Sequence, residues 1–349
     1  MSLFERVRDL PLTVEGYDLD ALSMDVSSEF TRVTTVIRLV GGDEEGLGED
    51  VTYEAEEHEV QLERGPVLAL QGDWTIDSFS RHLETVPLFE REPKRAVYTR
   101  YRRWAFESAA LDLALRQAGR SLAEAVGRTL RPVAFVVSLR LGEPPSTERV
   151  RGWLALYPSL RFKLDATSDW TDELVQELSD LGCVDSIDFK GHYTGTAVDQ
   201  APDPDLYRRV VEGLPDAWLE DPALDDGTLP VLEPHSDRVT WDAVIHSVAD
   251  IEALHWPPRT VNVKPSRFGS TEGLFAAYDY CEKQGIGAYG GGQFELGPGR
   301  GQIQYLAALF HPDTPNDVAP GGFNSPDPRP GLPSSPLEIE PRATGFLAL

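Results

Sequence analysis

The chain has 349 residues, enough for one large domain or two of ordinary size with an ample core. An apolar fraction of 41% and seven tryptophans argue for a globular fold and against disorder. A formal net charge of -26 repels nucleic acid and anionic membrane surfaces, which sets phosphate-backbone binding aside.

The acidity reads as a solvated surface that keeps the chain soluble, with a salt-rich cytoplasm as the alternative. Cys183 and Cys281 are the only cysteines and lie far apart, so no disulfide framework is expected. Each reads as a small core residue rather than a nucleophile, in a reducing compartment. Residues 1–6 lack a basic start followed by an apolar core, so no signal peptide is expected. No apolar run approaches the length of a membrane span. The expectation is a cytoplasmic, soluble protein.

The first stretch is β-rich. Residues 12–15, 31–39 and 57–62 read as strands from their period-two alternation. Residues 41–50 form a glycine-rich acidic turn, and the acidic residues favour a hairpin connection over a phosphate loop. Helices follow. Residues 77–84 open with capping residues. Residues 103–119 place Ala105, Ser108, Leu111 and Leu115 on one face, with Gly119 as the stop. Ser121 and Glu124 make a capping-box pattern for a further short helix. From Pro132 the texture changes to alternating strand and helix, which signals a parallel sheet or barrel. Residues 133–139 read as a buried strand. Residues 172–181, 205–213 and 270–284 read as helices, and residues 286–289 as a strand. Residues 325–336 are proline-rich and irregular, and residues 337–349 form an apolar tail expected to dock.

Charged residues end successive strand-like runs. Lys163, Asp188, Glu220, Asp242 and Lys264 follow one another at intervals of 25, 32, 22 and 22 residues. A (β/α)8 barrel uses roughly 30 residues per βα unit and builds its active site at the C-terminal strand ends. Each strand then delivers one polar group to one mouth. A single acidic residue at a strand end reads as a solvated terminus. Three in register inside apolar strands do not, because unpaired buried carboxylates are costly. Asp188, Glu220 and Asp242 are therefore candidate ligands for a hard divalent cation such as Mg²⁺. Zinc is disfavoured, since the chain has no His-x-Glu-x-x-His or Cys-x-x-Cys pattern.

Lys163 and Lys264 sit inside apolar strands, where a lysine must be paired or reach a polar cavity. Near a metal and another cation a lysine becomes a usable base, and a structural ion pair is the competing role. Residues 290–301 are glycine-rich but lack the Gly-Lys-Ser/Thr ending of a phosphate loop. They read as a turn that lets backbone approach a ligand, with Glu295 facing the substrate, holding a neighbouring base, or accepting a hydrogen bond behind them.

Lys163-Leu-Asp165, Asp188, Glu220-Asp-Pro222, Asp242, Val261-Asn-Val-Lys264-Pro-Ser-Arg and residues 290–295, in that order, resemble the enolase superfamily. The likeness is to its mandelate racemase/muconate lactonizing enzyme family, in particular the muconate lactonizing enzyme and o-succinylbenzoate synthase branch. Residues 46–49 and 109–112 resemble stretches of that branch's capping domain. The resemblance implies an α/β chain: a modified TIM barrel, (β/α)7β, over residues 131–324. It implies an N-terminal α+β capping domain over residues 1–130, completed by the tail 325–349. It implies one Mg²⁺ per subunit on Asp188, Glu220 and Asp242, chelated by the carboxylate of a small substrate. A base would remove the α-proton, and the metal would hold the resulting enediolate. Family habit implies a homo-oligomer, and a substrate shaped by cap loops near residues 16–20 and the acidic glycine turn.

One position departs from the pattern. The branch usually carries Lys-x-Lys on the second strand, with the second lysine as a base. Here that position is Asp165. Lys163 matches the first lysine, with an electrostatic role, and Lys264 matches the lysine on the opposite face. Asp165 could serve as a base or hold a proton donor, and Lys190 or His192 could swing in. The change favours one-base chemistry, such as elimination, over racemisation between two lysines. The expected function is a Mg²⁺-dependent lyase or isomerase on a small carboxylic acid. The alternative is a metal-binding, catalytically altered relative that binds a ligand or serves a structural role.

Overall fold

The computed structural model describes residues 1–26, 30–193, 195, 199–325 and 327–347. The N-terminal part builds an antiparallel sheet of β2 (Gly16–Asp25), β3 (Thr31–Gly41) and β4 (Glu44–Asp50), beside a short pair, β1 (Pro11–Val14) with β5 (Gly72–Thr75). The β3–β4 turn is confined to Gly42 and Asp43, both at positive φ. Most of the stretch expected as a turn is therefore strand β4. Its glycines serve packing: a Cβ on Gly46 would stand 2.2 Å from Ala109 O, and one on Gly48 1.9 Å from Ala105 O. The helix Val97–Gln117 thus lies directly on the backbone of β4. It runs longer than the expected 103–119 and is buried on nearly all sides, with Ala105, Ser108, Leu111 and Leu115 among its buried residues.

The expected strand at 57–62 is instead part of a helix, Ala55–Arg64. Glu56 and Glu57 stand in its first turn and Arg64 in its last, which suits the helix dipole. Glu57, His58 and Gln61 face inward at helical spacing. His58 is held there by Thr35 Oγ1 at 2.8 Å and Thr52 O at 2.8 Å. Alternation of apolar and polar residues over six positions was too short to separate the two periods.

The rest of the chain alternates as expected. The strands are β6 (Val137–Leu139), β7 (Phe162–Asp165), β8 (Val184–Asp188), β9 (Trp218–Glu220), β10 (Val239–Thr240), β11 (Thr260–Val263) and β12 (Gly287–Gly290). They are parallel neighbours in that order within two sheets, which Asn262 N joins by donating to Trp241 O at 2.9 Å. Each strand is followed by a helix, the clearest being Asp172–Leu181, Pro204–Gly213, Thr271–Gln284 and Pro298–Phe310. Asn316 and Asp317 form the closing strand, bridged to Phe135 on one side and Gly291 on the other. The result is a (β/α)7β barrel. Residues 133–136 do not extend the β6 ladder; they bridge to the closing strand and, through Val133, to Leu337.

The tail docks as far as it is described; Ala348 and Leu349 lie outside the described residues. Gly345 bridges Ser121, and the fully buried Phe346 meets Trp104 and Tyr305 edge-on. No described helix is long and apolar enough to cross a membrane.

Barrel closure rests on a buried histidine. Asn316 Oδ1 accepts from Gly290 N at 2.6 Å and lies 2.6 Å from His311 Nδ1, whose Nε2 is 3.1 Å from Tyr278 Oη. This set suits a neutral ring, and burial pushes the His311 pKa down to about 4. The folded state therefore binds fewer protons than the unfolded state between pH 6.5 and 4. Stability should fall by up to about 3 kcal/mol as pH drops through that window. Urea unfolding across pH 4–7 should show this slope in the wild type and a flatter one in His311→Gln, although the variant is less stable throughout.

Candidate active site

Strand register places the acidic groups. Asp165 pairs with Asp188, and Asp188 with Glu220, so three consecutive strands carry carboxylates in one row. Residues in such a row share a face, and the convergence of these carboxylates makes it the barrel interior. Thr240 continues the row on β10, and Asp242, two residues on, points the same way. Carboxylate oxygens of Asp188, Glu220 and Asp242 lie within 4.8 Å of one another, and all three residues are fully buried. Asp221 steadies the end of β10. At φ 47 it turns its carboxylate to accept from Asp242 N at 2.8 Å and Ala243 N at 2.7 Å.

Lys163 lies on β7 and Lys264 directly after β11, four strands apart in the closed ring of eight and hence across the barrel from each other. Lys163 Nζ binds Glu220 Oε1 and lies 3.2 Å from Asp188 Oδ2 and 3.7 Å from Asp317 Oδ2. Lys264 Nζ donates to Asp242 Oδ2 at 2.8 Å. Pro265 ends β11 and starts a single helical turn that brings in Arg267, whose Nη1 is 3.1 Å from Asp242 Oδ1. Tyr193 Oη donates to Asp242 Oδ2 at 3.0 Å, and Tyr289 Oη to Glu220 Oε2 at 2.7 Å.

Asp165 does not stand alone. Its Oδ1 lies 3.2 Å from Lys190 Nζ and its Oδ2 3.3 Å from Arg140 Nε. Lys190 sits at φ 55, with its N–H on Asp188 Oδ1 at 3.0 Å, and its ammonium also binds Asp188. This turn folds the side chain back over the strand ends, so an ammonium delivered by β8 stands beside position 165. His192 is not brought into the cluster; it is exposed, with its ring 5.6 Å from Trp241. Glu295 is buried but faces Arg300 Nη2 at 3.3 Å and accepts from Gln293 N at 2.7 Å, so it meets no lysine.

The electrostatics follow from burial and pairing. Burial, together with Asp188 and Asp242, outweighs Lys163 and pushes the Glu220 pKa up to about 8. Burial would raise Asp188 too, but Lys190 and Lys163 hold it at about 2. Arg267, Lys264 and Lys163 likewise overcome burial and hold Asp242 well below the carboxylate range. Lys163 is pushed well up, since Glu220 and Asp188 outweigh its desolvation. With Glu220 protonated, the carboxylates of Asp165, Asp188, Asp221, Asp242 and Asp317 balance the five cations Arg140, Lys163, Lys190, Lys264 and Arg267, and ionising Glu220 leaves one negative charge in excess for a cation to offset. An oxygen-only triad with residual negative charge suits a hard divalent cation.

Tyr193, Tyr289 and Asp317 were not singled out by the sequence, while Asp221 and Arg267 stood inside the quoted motifs without a role of their own. Lys190, named from the sequence as a group that could swing in, stands beside Asp165 and is one of only five lysines in the chain. The loops expected to shape the substrate are also corrected. Residues 16–20 lie within β2, and the Gly42–Asp43 turn stands near Gln117. Tyr101, which accepts from Gln293 Nε2 at 3.0 Å, is 16 residues back along the same helix, roughly 24 Å away. The opposite end of the β2–β3 hairpin lies nearer the barrel mouth: Arg32 Nη2 donates to Gln293 O at 3.0 Å, and the Phe30 ring meets Phe294.

Comparison with known proteins bears on this arrangement. Residues 5–125 match the N-terminal domain, and residues 129–325 the C-terminal domain, of a family described as a domain of unknown function, DUF8230. The second match alone spans more than half the chain. The chain belongs to the DUF8230 family. No curated protein matches it. Among solved structures, the DUF8230 chain is similar to muconate lactonizing enzyme from Pseudomonas putida, at 18% identity over 97% of each chain with a TM-score of 0.68. It is similar to an enolase superfamily member from Listeria innocua, at 19% identity over 89% of this chain and 86% of that one, TM-score 0.65. It is also similar to a dipeptide epimerase from Methylococcus capsulatus complexed with Mg ion, at 20% identity over 91% and 89%, TM-score 0.62. At such identities the likeness is one of fold: the DUF8230 chain has the enolase-superfamily fold that its strand-end residues resembled.

Asp242 is the partner of two buried cations, Lys264 and Arg267. In chelator-treated protein, Asp242→Asn should therefore cost about 3 kcal/mol of stability, because breaking a buried pair leaves its cations uncompensated. Urea unfolding checks this, with Asp185→Asn, in a half-exposed pair with Arg161, costing under about 1 kcal/mol.

Proposed function

We propose that this DUF8230 chain removes the α-proton of a small carboxylic acid, as a Mg²⁺-dependent lyase or isomerase. The observation that carries this reading is the pair of buried lysines set across the barrel with the buried carboxylate triad on the strands between them. Asp188, Glu220 and Asp242 would hold the ion. Bound there, it would act as a Lewis acid towards the substrate carboxylate and offset the charge that develops on it. Lys264 is the principal acid/base, aimed by Asp242 at one face of the substrate. Lys163, charged and buried opposite, supplies positive potential where negative charge grows during proton removal. Lys190 stands in for the lysine missing at position 165, and Asp165 with Arg140 anchors it. Tyr193, Tyr289 and Asp221 orient the carboxylates, so the site needs little rearrangement as the reaction proceeds.

The competing reading is a metal-binding relative that has lost catalysis, motivated by Asp165. The Lys190–Asp165 contact favours the catalytic reading, because it restores an ammonium beside that position.

The test is α-proton exchange in deuterated water, followed by NMR over a library of small carboxylates with Mg²⁺ present. Wild type should exchange at least one member, chelator should stop it, and Lys264→Ala should slow it by about 10²-fold or more. Equal exchange by Lys264→Ala would remove the role given to that lysine. Mg²⁺ binding without exchange across the library would favour the altered relative, and no Mg²⁺ binding would end the site reading itself.

A further inference from the structure

Beside the candidate site lies a small space of about 40 Å³, lined by polar Ser138, Arg300, Asp317 and Asn324, by apolar Val137, Phe294, Ala319 and Phe323, and by Gly292. Ser138 pairs in register with Lys163, so the two share the barrel interior. Asp317 is the residue 3.7 Å from Lys163 Nζ. The space therefore opens off the same interior as the candidate site, where the far end of a substrate would lie.

Its walls are set by strained and close-packed backbone. Phe294 is held at φ 55, a left-handed conformation that costs a bulky residue about 1 kcal/mol or more. Arg32 clamps it, with Nη2 on Gln293 O at 3.0 Å and Nε on Phe294 O at 3.4 Å. A Cβ on Gly292 would stand 2.5 Å from Glu295 Oε2 and 3.2 Å from Arg300 Nη1, so a larger residue there would shift the Glu295 carboxylate.

Two buried donors, Arg300 Nε and Asn324 Nδ2, have no hydrogen-bond partner among the described residues. A buried donor left unmet costs on the order of 1–3 kcal/mol, so the site calls for an oxygen acceptor. The charges around it are already spoken for. Arg300 is paired with Glu295, and Lys163 is shared between Asp317, Asp188 and Glu220. A second carboxylate would bring uncompensated negative charge beside Asp317 and Glu295. A carbonyl oxygen meets the same donors without that penalty. The volume is that of roughly three waters, which suits a group of a few heavy atoms.

We propose that this space receives the far end of the substrate, and that the group it takes is a neutral oxygen acceptor, an amide or ketone carbonyl, in preference to a second carboxylate. The inference rests on the proposed function, which supplies the carboxylate end of the same molecule.

Calorimetric titration with Mg²⁺ present tests it, using glutaramate against glutarate and adipamate against adipate, with pentanoate and hexanoate as simple references. In wild type one amide acid should bind about ten-fold tighter than both its matched dicarboxylate and its simple reference. Asn324→Leu, which touches no ion pair, should remove most of that advantage, read as the ratio of amide to simple-acid affinity within the same variant. Arg300→Lys, which keeps the charge facing Glu295, should do the same. Dicarboxylates binding as tightly as the amides, or an amide advantage that survives in both variants, would overturn the assignment. If the simple acids bind with Mg²⁺ and the amides gain nothing, this inference alone fails. If no carboxylate binds, the proposed function fails and takes this inference with it.

Discussion

Several ionised groups share the buried interior of one barrel end, and each must find a counter-charge within a few ångströms. That requirement organises the structure around it. An isolated carboxylate in such a place would take up a proton or open the fold. Here Asp188 is shared by Lys163 and Lys190, Glu220 by Lys163 and the Tyr289 hydroxyl, and Asp242 by Lys264, Arg267 and Tyr193. The partners come from different strands and loops. Neutralisation therefore ties the barrel together at its mouth, and it sets every catalytic candidate at a defined place before any substrate arrives.

The N-terminal sheet reaches this cluster through the helix Val97–Gln117. The glycines of β4 bring sheet and helix backbones into contact, and Arg102 on that helix binds Asp50 at the end of β4 at 2.7 Å. Arg32 then carries the sheet onto the loop after β12, with four backbone carbonyls as partners and the Tyr53 ring 4.4 Å away. A guanidinium satisfied by carbonyls in place of a carboxylate needs all of them in position at once. The end of the β2–β3 hairpin and the barrel mouth are thereby held as one surface.

Position 165 shows how one charge can be exchanged for another without losing the ensemble. An aspartate replaces the expected lysine, which alone would add negative charge to an acidic site. Lys190 supplies the missing ammonium from the neighbouring strand, and Arg140 covers the other oxygen of Asp165. The site keeps cations near both Lys163 and Lys264, though by a different route, so the loss of a lysine from the motif does not mean the loss of its charge.

Much of this was legible in the amino-acid sequence. The spacing of Lys163, Asp188, Glu220, Asp242 and Lys264 spoke for a barrel, because βα units have a nearly constant length and strand ends share one mouth. Long helices with caps, such as Asp172–Leu181 and Thr271–Gln284, were readable from local patterns. Residues 57–62 were not, since six positions do not distinguish a strand from a helix whose inward groups are polar. Nor could local pattern show that β4 needs glycine, because the reason is a helix some sixty residues later. Local chemistry and constant unit length settled the barrel and its acidic strand ends. The tertiary structure alone decided which charges meet, that Lys190 stands beside Asp165, that His192 faces outward and that Arg300 leaves a donor free, because those outcomes depend on side chains that only closure of the barrel brings together.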